Sequence, residues 1–407
     1  MLPTAAILTV GTELVTGLRV DTNSAEIAFA LEAAGHAVAE VVSVGDDLAA
    51  VATAIGRLTT DYDAVVVTGG LGPTHDDITR EAAAQALGLT LQRDESIAAG
   101  LEARARRHLD GKAAEQVFKQ ALVPLGATVV PATVGSAPGL LIPTGRGVLA
   151  LLPGPPREMR SMLSAVVASL GGAARTNPVV FSCTGLSESD LQISAQEALG
   201  DVVGIRLVIL AKPGEVQVIL IDESAGEAQL TESRQRVKAA LGDACFAEDG
   251  STLAETVIRL ARERDYTTIS LAESCTGGMI GTALTDVPGS SDAFLGAIVS
   301  YSDTAKADLL GVAEETLDDY GAVSSQTAVE MARGARRRFE SDFAVAVTGI
   351  AGPDGGSEDK SVGLVWFAFA DAAFTTAESR TFPGDRATVR HLATAYALDW
   401  LRRRLEM

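Results

Sequence analysis

Apolar runs and helical stretches alternate along the first 170 residues. The run AAILTV (Ala5–Val10) stops at Gly11, and the pattern from Ser24 to Ala34 is helical and ends at Gly35. HAVAEVVSV predicts a second strand, Leu48–Leu58 a helix, and DAVVVTGG a third strand. The Gly69–Gly72 loop then leads into DDITREAAAQAL, which reads as a helix beginning at its two carboxylates. Strands alternating with helices of this length predict βαβ units around a mostly parallel sheet. Ligands of such sheets bind at the carboxyl ends of the strands, which is where these glycines fall.

From residue 171 the pattern changes. TNPVVFSCTG is strand-like, SESDLQISAQEAL is helical, and RLVILAKPGEVQVILID predicts two strands joined at a Pro-Gly turn, with a charged helix over Leu230–Leu241. Near Ser251 a second α/β pattern begins: the helix LAETVIRLARER, the strand TTISLAE, the loop SCTGG and the helix GMIGTAL. Next come the strand GAIVSYS, a helix through Met331–Phe339, the strand FAVAVTG with its loop IAGPDGG, the strand VGLVWFAFA and a closing amphipathic helix, RATVRHLATAYALDWLRRRL. The expected fold class is therefore α/β: two three-layer α/β domains with mainly parallel sheets (1–170 and 251–407), joined by a small α+β module (171–250).

Composition narrows the chemistry. Of 407 residues, 33 are basic and 53 acidic, giving a net charge of -20, so the mean field repels phosphate and disfavours nucleic acid or anionic membrane as a partner. No apolar stretch is long enough to cross a bilayer, and the N-terminus lacks the basic flank of a signal peptide. Three cysteines (Cys183, Cys245, Cys275) are too few and too scattered for a disulfide framework or a zinc site, which points to a reducing, cytoplasmic setting. Histidine occurs only at positions 36, 75, 108 and 391, so catalysis in the last third must do largely without imidazole. Six lysines stand among 27 arginines, and only lysine can readily give up its proton.

Two constellations carry candidate chemistry. In AESCTGG (Ala272–Gly278), Ser274 and Cys275 sit on a strand-to-helix turn, where the amides of Thr276, Gly277 and Gly278 can receive an oxyanion. Capping of the helix by Ser274 or Thr276 is the simpler use of the same residues. A serine nucleophile needs a base, and Lys306, just after Tyr301 in SYSDTAKADLLG, supplies one once desolvation lowers its pKa. The Gly-rich loop Thr348–Gly356 and the arginines Arg386 and Arg390 are candidates for holding a phosphate, with a tight turn and surface ion pairs as their plainer roles.

The second constellation is TGGLGPTHDD (Thr68–Asp77), which joins a glycine turn to Asp76 and Asp77. Glycine amides suit phosphate and carboxylates suit Mg²⁺ or Mn²⁺, although the two acids could simply complement a helix dipole. GTELVTG, DTNS, SAPG and LPGPPREM would complete the same cleft.

The C-terminal motifs, in this order, resemble the C-terminal domain of the CinA (competence/damage-inducible) family. The resemblance implies a nicotinamide mononucleotide deamidase with Ser274 as nucleophile and Tyr301 and Lys306 as partners. It further implies an oxyanion site at Thr276–Gly278, ribose and phosphate contacts from Thr348, Gly349, Ile350, Gly352, Arg386 and Arg390, and no cofactor. The N-terminal segments resemble the family's first domain, which has the molybdopterin-binding fold of MoaB and MogA. There the resemblance implies metal-dependent hydrolysis of ADP-ribose, with a divalent cation (Mg²⁺, Mn²⁺ or Co²⁺) on Asp76 and Asp77. Gly11, Glu13, Asp21, Asn23, Gly69, Gly70, Gly72, Thr74, Lys119, Gly139 and Glu158 would bind the nucleotide. Small-molecule nucleotides and a second copy of the chain, in a homodimer, are the partners so implied. The chain departs from the family at Gln116, Val117, Phe118 and Ala132, where Asn is usual, and at Asp303. The alternative readings are that the N-terminal domain is the main activity, on another nucleotide or a pterin, or that it is a nucleotide- or pterin-binding module of a regulatory protein linked to competence or DNA damage.

Overall fold

The computed structural model describes residues 2–108, 117–171, 178–265 and 267–407, so Gln116 lies outside the described residues. The chain forms two compact units, Met1–Asn177 and Pro178–Met407.

In the first unit six strands lie in the spatial order Ala37–Val44, Thr4–Val10, Ala64–Thr68, Val148–Leu152, Gly139–Pro143 and Thr128–Val130. The first four are mutually parallel and the last two antiparallel. Ala64–Thr68 is buried at every position, as its unbroken apolar run requires of a strand covered on both faces. Val65 and Val67 face Val51, Ile55 and Leu58 of the helix Leu48–Asp61. Ala64 and Val66 face Ile27 and Leu31 of the helix Asn23–Ala33 and Met159, Met162 and Val166 of the helix Pro156–Leu170. Three layers result. Asp76 and Asp77 do not begin a helix, because the next one spans Thr79–Leu87 and the acids occupy the turn before it.

The second unit opens with a four-stranded sheet, in the order Ile205–Lys212, Glu215–Asp222, Val179–Cys183 and Cys245–Ala247, paired antiparallel throughout. The helices Glu188–Leu199 and Glu227–Leu241 cover it through Leu191, Leu199, Leu230 and Val237. A five-stranded sheet follows, in the order Phe294–Val299, Ile269–Glu273, Phe343–Gly349, Leu364–Ala370 and Thr375–Thr381. Its first three strands are parallel and its last two antiparallel. The last strand, TTAESRT, lacks apolar alternation because it is a half-exposed edge.

Leu271, Val345, Val347, Phe367 and Phe369 face the helices Leu253–Glu263 and Arg386–Glu406, whereas Ala272, Ala344, Ala346, Ala368 and Ala370 face the helix Ser325–Phe339. The alanine face permits close approach on that side. A Cβ at Gly334 of the helix would lie 2.0 Å from the Leu310 carbonyl oxygen. Among the described residues no helix is long and apolar enough to cross a membrane.

Candidate functional sites

At the carboxyl end of Ile269–Glu273 the chain turns sharply through Ser274–Gly278 into the helix Met279–Thr285. The Ser274 amide donates to the Val347 carbonyl (2.9 Å), fixing the turn to the neighbouring parallel strand. Ser274 is 7% exposed. The helix start carries an acceptor of its own. The buried Glu273 carboxylate receives the amides of Gly278 (3.0 Å), Ile280 (3.2 Å) and Gly281 (2.8 Å), and the Gly277 amide donates to the Ser274 carbonyl (3.1 Å). The expected oxyanion site across Thr276–Gly278 therefore shrinks, since the Gly277 and Gly278 amides are engaged. The sequence signal for this was a glutamate closing the strand ahead of a glycine turn.

Strand pairing brings the segment that carries Lys306 to the same end of the sheet. Glu273 lies opposite Val299, and the Ser300 amide donates to the Glu273 carbonyl (2.8 Å), so both turns leave adjacent strand ends. Ser302 caps the helix Asp303–Leu310, which carries Lys306. Lys306 is 1% exposed. Its ammonium donates to the Tyr301 carbonyl (3.3 Å) and lies 3.6 Å from Asp303. Desolvation holds its pKa below the usual lysine value, opposed by Asp303 and, more weakly, by Cys275 and Tyr301. Burial pushes the Cys275 thiol up to about 11, which keeps it protonated and makes it the poorer nucleophile. The Thr276 and Ser300 hydroxyls are buried beside these turns without a partner.

Three expected residues take other positions. Tyr301 is exposed, and its hydroxyl accepts from Arg386 Nη2 (2.7 Å), so the backbone of Tyr301 and not its phenol contacts Lys306. Arg386 also donates through Nη1 to the Gly352 carbonyl (2.9 Å). Arg390 donates to the carbonyls of Cys275 (3.1 Å) and Thr276 (2.8 Å), clamping the Ser274 turn to the last helix. Both arginines thus hold loops, which they do better than a lysine because a guanidinium forks onto two acceptors. They nonetheless line a cavity of about 630 Å³ with Gly352, Pro353 and Val362. The Thr348 hydroxyl points to the Ala322 carbonyl (2.7 Å), and Gly349 and Ile350 are tied to the next strand, so these three fix the loop.

In the first unit a cavity of about 410 Å³ opens at the strand ends and is lined by Gly11, Glu13, Asp21, Asn23, Gly69, Gly70, Gly72, Asp76, Asp77 and Glu158. Gly69 is required there, because at φ 107° a Cβ would lie 2.1 Å from the Val10 carbonyl oxygen. Asn23 donates to Thr68 (2.9 Å) and to the Gly154 carbonyl (2.8 Å), tying opposite walls together. Asp77 receives the amides of Gly72 (2.7 Å) and Thr74 (2.8 Å), and the Thr74 hydroxyl is shared between Asp76 and Asp77. Lys119 holds this loop from outside the cavity, donating to the Asp77 carbonyl and pairing with Glu81 at 3.3 Å.

Gly139 is not part of the cleft. It is a buried strand residue, where a Cβ would press on Leu151, Met162 and Val130. Two buried residues at the cleft were not foreseen. Gln120 lines it with an unpartnered carbonyl oxygen, and Arg80 reaches the Leu71 carbonyl (2.7 Å) while its Nε and Nη1 have no partner. Burial lowers the Arg80 pKa to about 10. Among the described residues no three His, Cys, Asp or Glu side chains gather tightly enough to hold a metal ion.

Comparison with known proteins decides the family. Residues 250–405 match the CinA C-terminal domain, and residues 6–171 match the probable molybdopterin binding domain. The chain is 42% identical over 409 residues to a CinA-like protein of Geotalea uraniireducens (strain Rf4), covering 98% of this chain and 97% of that one. A CinA-like protein of Geobacter sulfurreducens is 42% identical over 410 residues, covering 98% of each. The chain belongs to the CinA family. Among solved structures, the competence/damage inducible protein CihA from Agrobacterium tumefaciens is 41% identical, covering 39% of this chain and 98% of that one, with a TM-score of 0.36. In this CinA-family chain the Ser274 turn and Lys306 share one sheet edge, and most of the N-terminal candidates line one cavity. Tyr301, Arg386 and Arg390 serve as braces between loops.

Proposed function

We propose that the C-terminal domain hydrolyses the carboxamide of nicotinamide mononucleotide to nicotinic acid mononucleotide and ammonia. The observation that carries this reading is Lys306, a lysine removed from water beside a serine-bearing turn, which favours the neutral amine a Ser–Lys amidase needs.

Ser274 Oγ attacks the amide carbonyl carbon and its proton passes to the Lys306 amine. With the Gly277 and Gly278 amides engaged, the unpartnered Thr276 hydroxyl is the donor left in this turn to meet the oxyanion. The C–N bond breaks as Lys306 returns the proton to the leaving ammonia. Water, deprotonated by the same amine, then clears the ester. Cys275, held protonated, is the weaker rival nucleophile. The cavity beside Arg386 and Arg390 would receive the ribose phosphate, bound by local donors in an acidic chain.

The N-terminal cleft supports a second reading, hydrolysis of ADP-ribose. Its glycine-lined wall suits a pyrophosphate, and Asp76 and Asp77 keep free lone pairs for a cation shared with substrate phosphates. Such a cation would polarise the phosphoryl group when bound. Ammonia release from nicotinamide mononucleotide in EDTA tests the first reading, and ADP-ribose turnover with Mg²⁺, Mn²⁺ or Co²⁺ tests the second. Absence of ammonia release by folded protein defeats the deamidase reading. Full activity in Ser274→Ala, with loss in Cys275→Ala, would move the nucleophile to the thiol.

A further inference from the structure

We propose that Cys183 and Cys245 form a peroxide-sensitive dithiol that closes to a cross-strand disulfide. The two residues are 62 apart in sequence, yet they stand directly opposite each other in the antiparallel pair Val179–Cys183 and Cys245–Ala247. Residues so paired have Cα atoms about 4.5–5.5 Å apart, inside the roughly 4.4–6.8 Å that a disulfide spans. Both are free thiols, Cys183 donating to the Phe181 carbonyl (3.9 Å) and Cys245 to the Ala247 carbonyl (3.3 Å).

Their surroundings divide the labour. Cys183 is fully buried at the centre of the module's core, whereas Cys245 is half-buried on a three-residue edge strand that solvent can reach. The neighbouring Cys183 side chain holds the Cys245 thiol below its ordinary pKa, with help from Lys238 and opposition from burial and Glu248. The neighbouring Cys245 side chain and burial raise that of Cys183. Cys245 is then the attacking thiolate and Cys183 the resolving thiol. The third thiol, Cys275, is buried and held protonated in the other sheet, so it stays out of the reaction.

The chemistry balances with hydrogen peroxide as oxidant. Cys245 sulfur attacks a peroxide oxygen, the O–O bond breaks, and one water leaves behind a sulfenic acid. Cys183 sulfur then attacks Cys245 sulfur, the S–O bond breaks, and a second water departs. The two sulfurs lose two electrons in total, and peroxide gains them.

The test treats the full chain with peroxide, denatures it and counts thiols. The count is expected to fall from three to one, with a mass loss of two hydrogens, a linked peptide pair containing Cys183 and Cys245, and full recovery in dithiothreitol. In Cys183→Ala, Cys245 should stop at a sulfenic acid that dimedone traps. In Cys245→Ser, whose position is half-buried, both remaining thiols should survive. Three surviving thiols in the parent chain, irreversible oxygen addition at Cys245 with Cys183 still free, or a disulfide between two chains would each overturn the proposal.

Discussion

The two candidate sites start from one device, a glycine turn at the carboxyl end of a parallel strand, and arrive at opposite electrostatics. In the N-terminal cleft the turn borders a cavity, with Asp77 holding the Gly72 and Thr74 amides. Gly69, Gly70 and Gly72 line a cavity whose carboxylates, Glu13, Asp21, Asp76, Asp77 and Glu158, stand around its wall. In the C-terminal domain the turn is closed from within, because Glu273 takes up the helix-start amides that a phosphate would otherwise find. The buried Lys306 lies at the neighbouring turn. The proposed ADP-ribose hydrolysis would bring a cation and a pyrophosphate to those acids. A desolvated amine asks for a proton.

Breaking the C-terminal side should cost most. Ser274→Ala is expected to reduce ammonia release from nicotinamide mononucleotide by at least about 10³-fold, since no second nucleophile of suitable pKa stands in the turn. Lys306→Met should cost about 10²–10⁴-fold. It should also stabilise the fold by about 1 kcal/mol, visible as a raised Tm, because a buried cation is replaced by an apolar chain of similar length. The desolvated amine lowers the pKa of Lys306, and only the neutral form accepts a proton. kcat/KM should therefore rise with pH through a pKa below that of an ordinary lysine. The stability contribution has the same sign. Between the lowered native pKa and the ordinary unfolded one, the unfolded chain binds more protons, so stability also rises with pH.

Smaller effects sharpen the contrast. Arg390→Lys removes the forked grip on the Cys275 and Thr276 carbonyls and should lower kcat about 10-fold with little change in KM. Asp77→Ala frees the Gly72 and Thr74 amides. It is expected to cost about 1–3 kcal/mol in chemical denaturation and to abolish ADP-ribose turnover, while leaving the deamidase unchanged. Loss of both activities in either single-site variant would remove the basis for treating the sites as separate chemistries.

Much of the architecture was readable in advance, because buried parallel strands announce themselves as unbroken apolar runs bounded by glycine. Ala64–Thr68 and Ile269–Glu273 are examples. The strand Thr375–Thr381 was not readable, since an edge strand with polar side chains carries no such signal. At the candidate C-terminal site, Ser274 and Lys306 stood out by residue type, and the structure puts them at adjacent turns. What each neighbour does was not legible. Tyr301 was expected as a partner of Ser274, but its exposed side chain accepts from Arg386 instead. Arg386 and Arg390 suggested a phosphate fork, and only the fold shows that each also braces a loop, through the Gly352, Cys275 and Thr276 carbonyls and the Tyr301 hydroxyl. The pairing of Cys183 with Cys245 depends on strand register, which distant sequence positions do not display.

In the proposed deamidase the buried amine of Lys306 would drive amide hydrolysis without metal. The most direct measurement is ammonia release from nicotinamide mononucleotide by the full chain and by Lys306→Met, both in EDTA and across a pH series. Release by the parent chain that is indifferent to EDTA and grows with pH, and is lost in a well-folded Lys306→Met, is the predicted result. Release that EDTA abolishes, or that Lys306→Met retains, would contradict it.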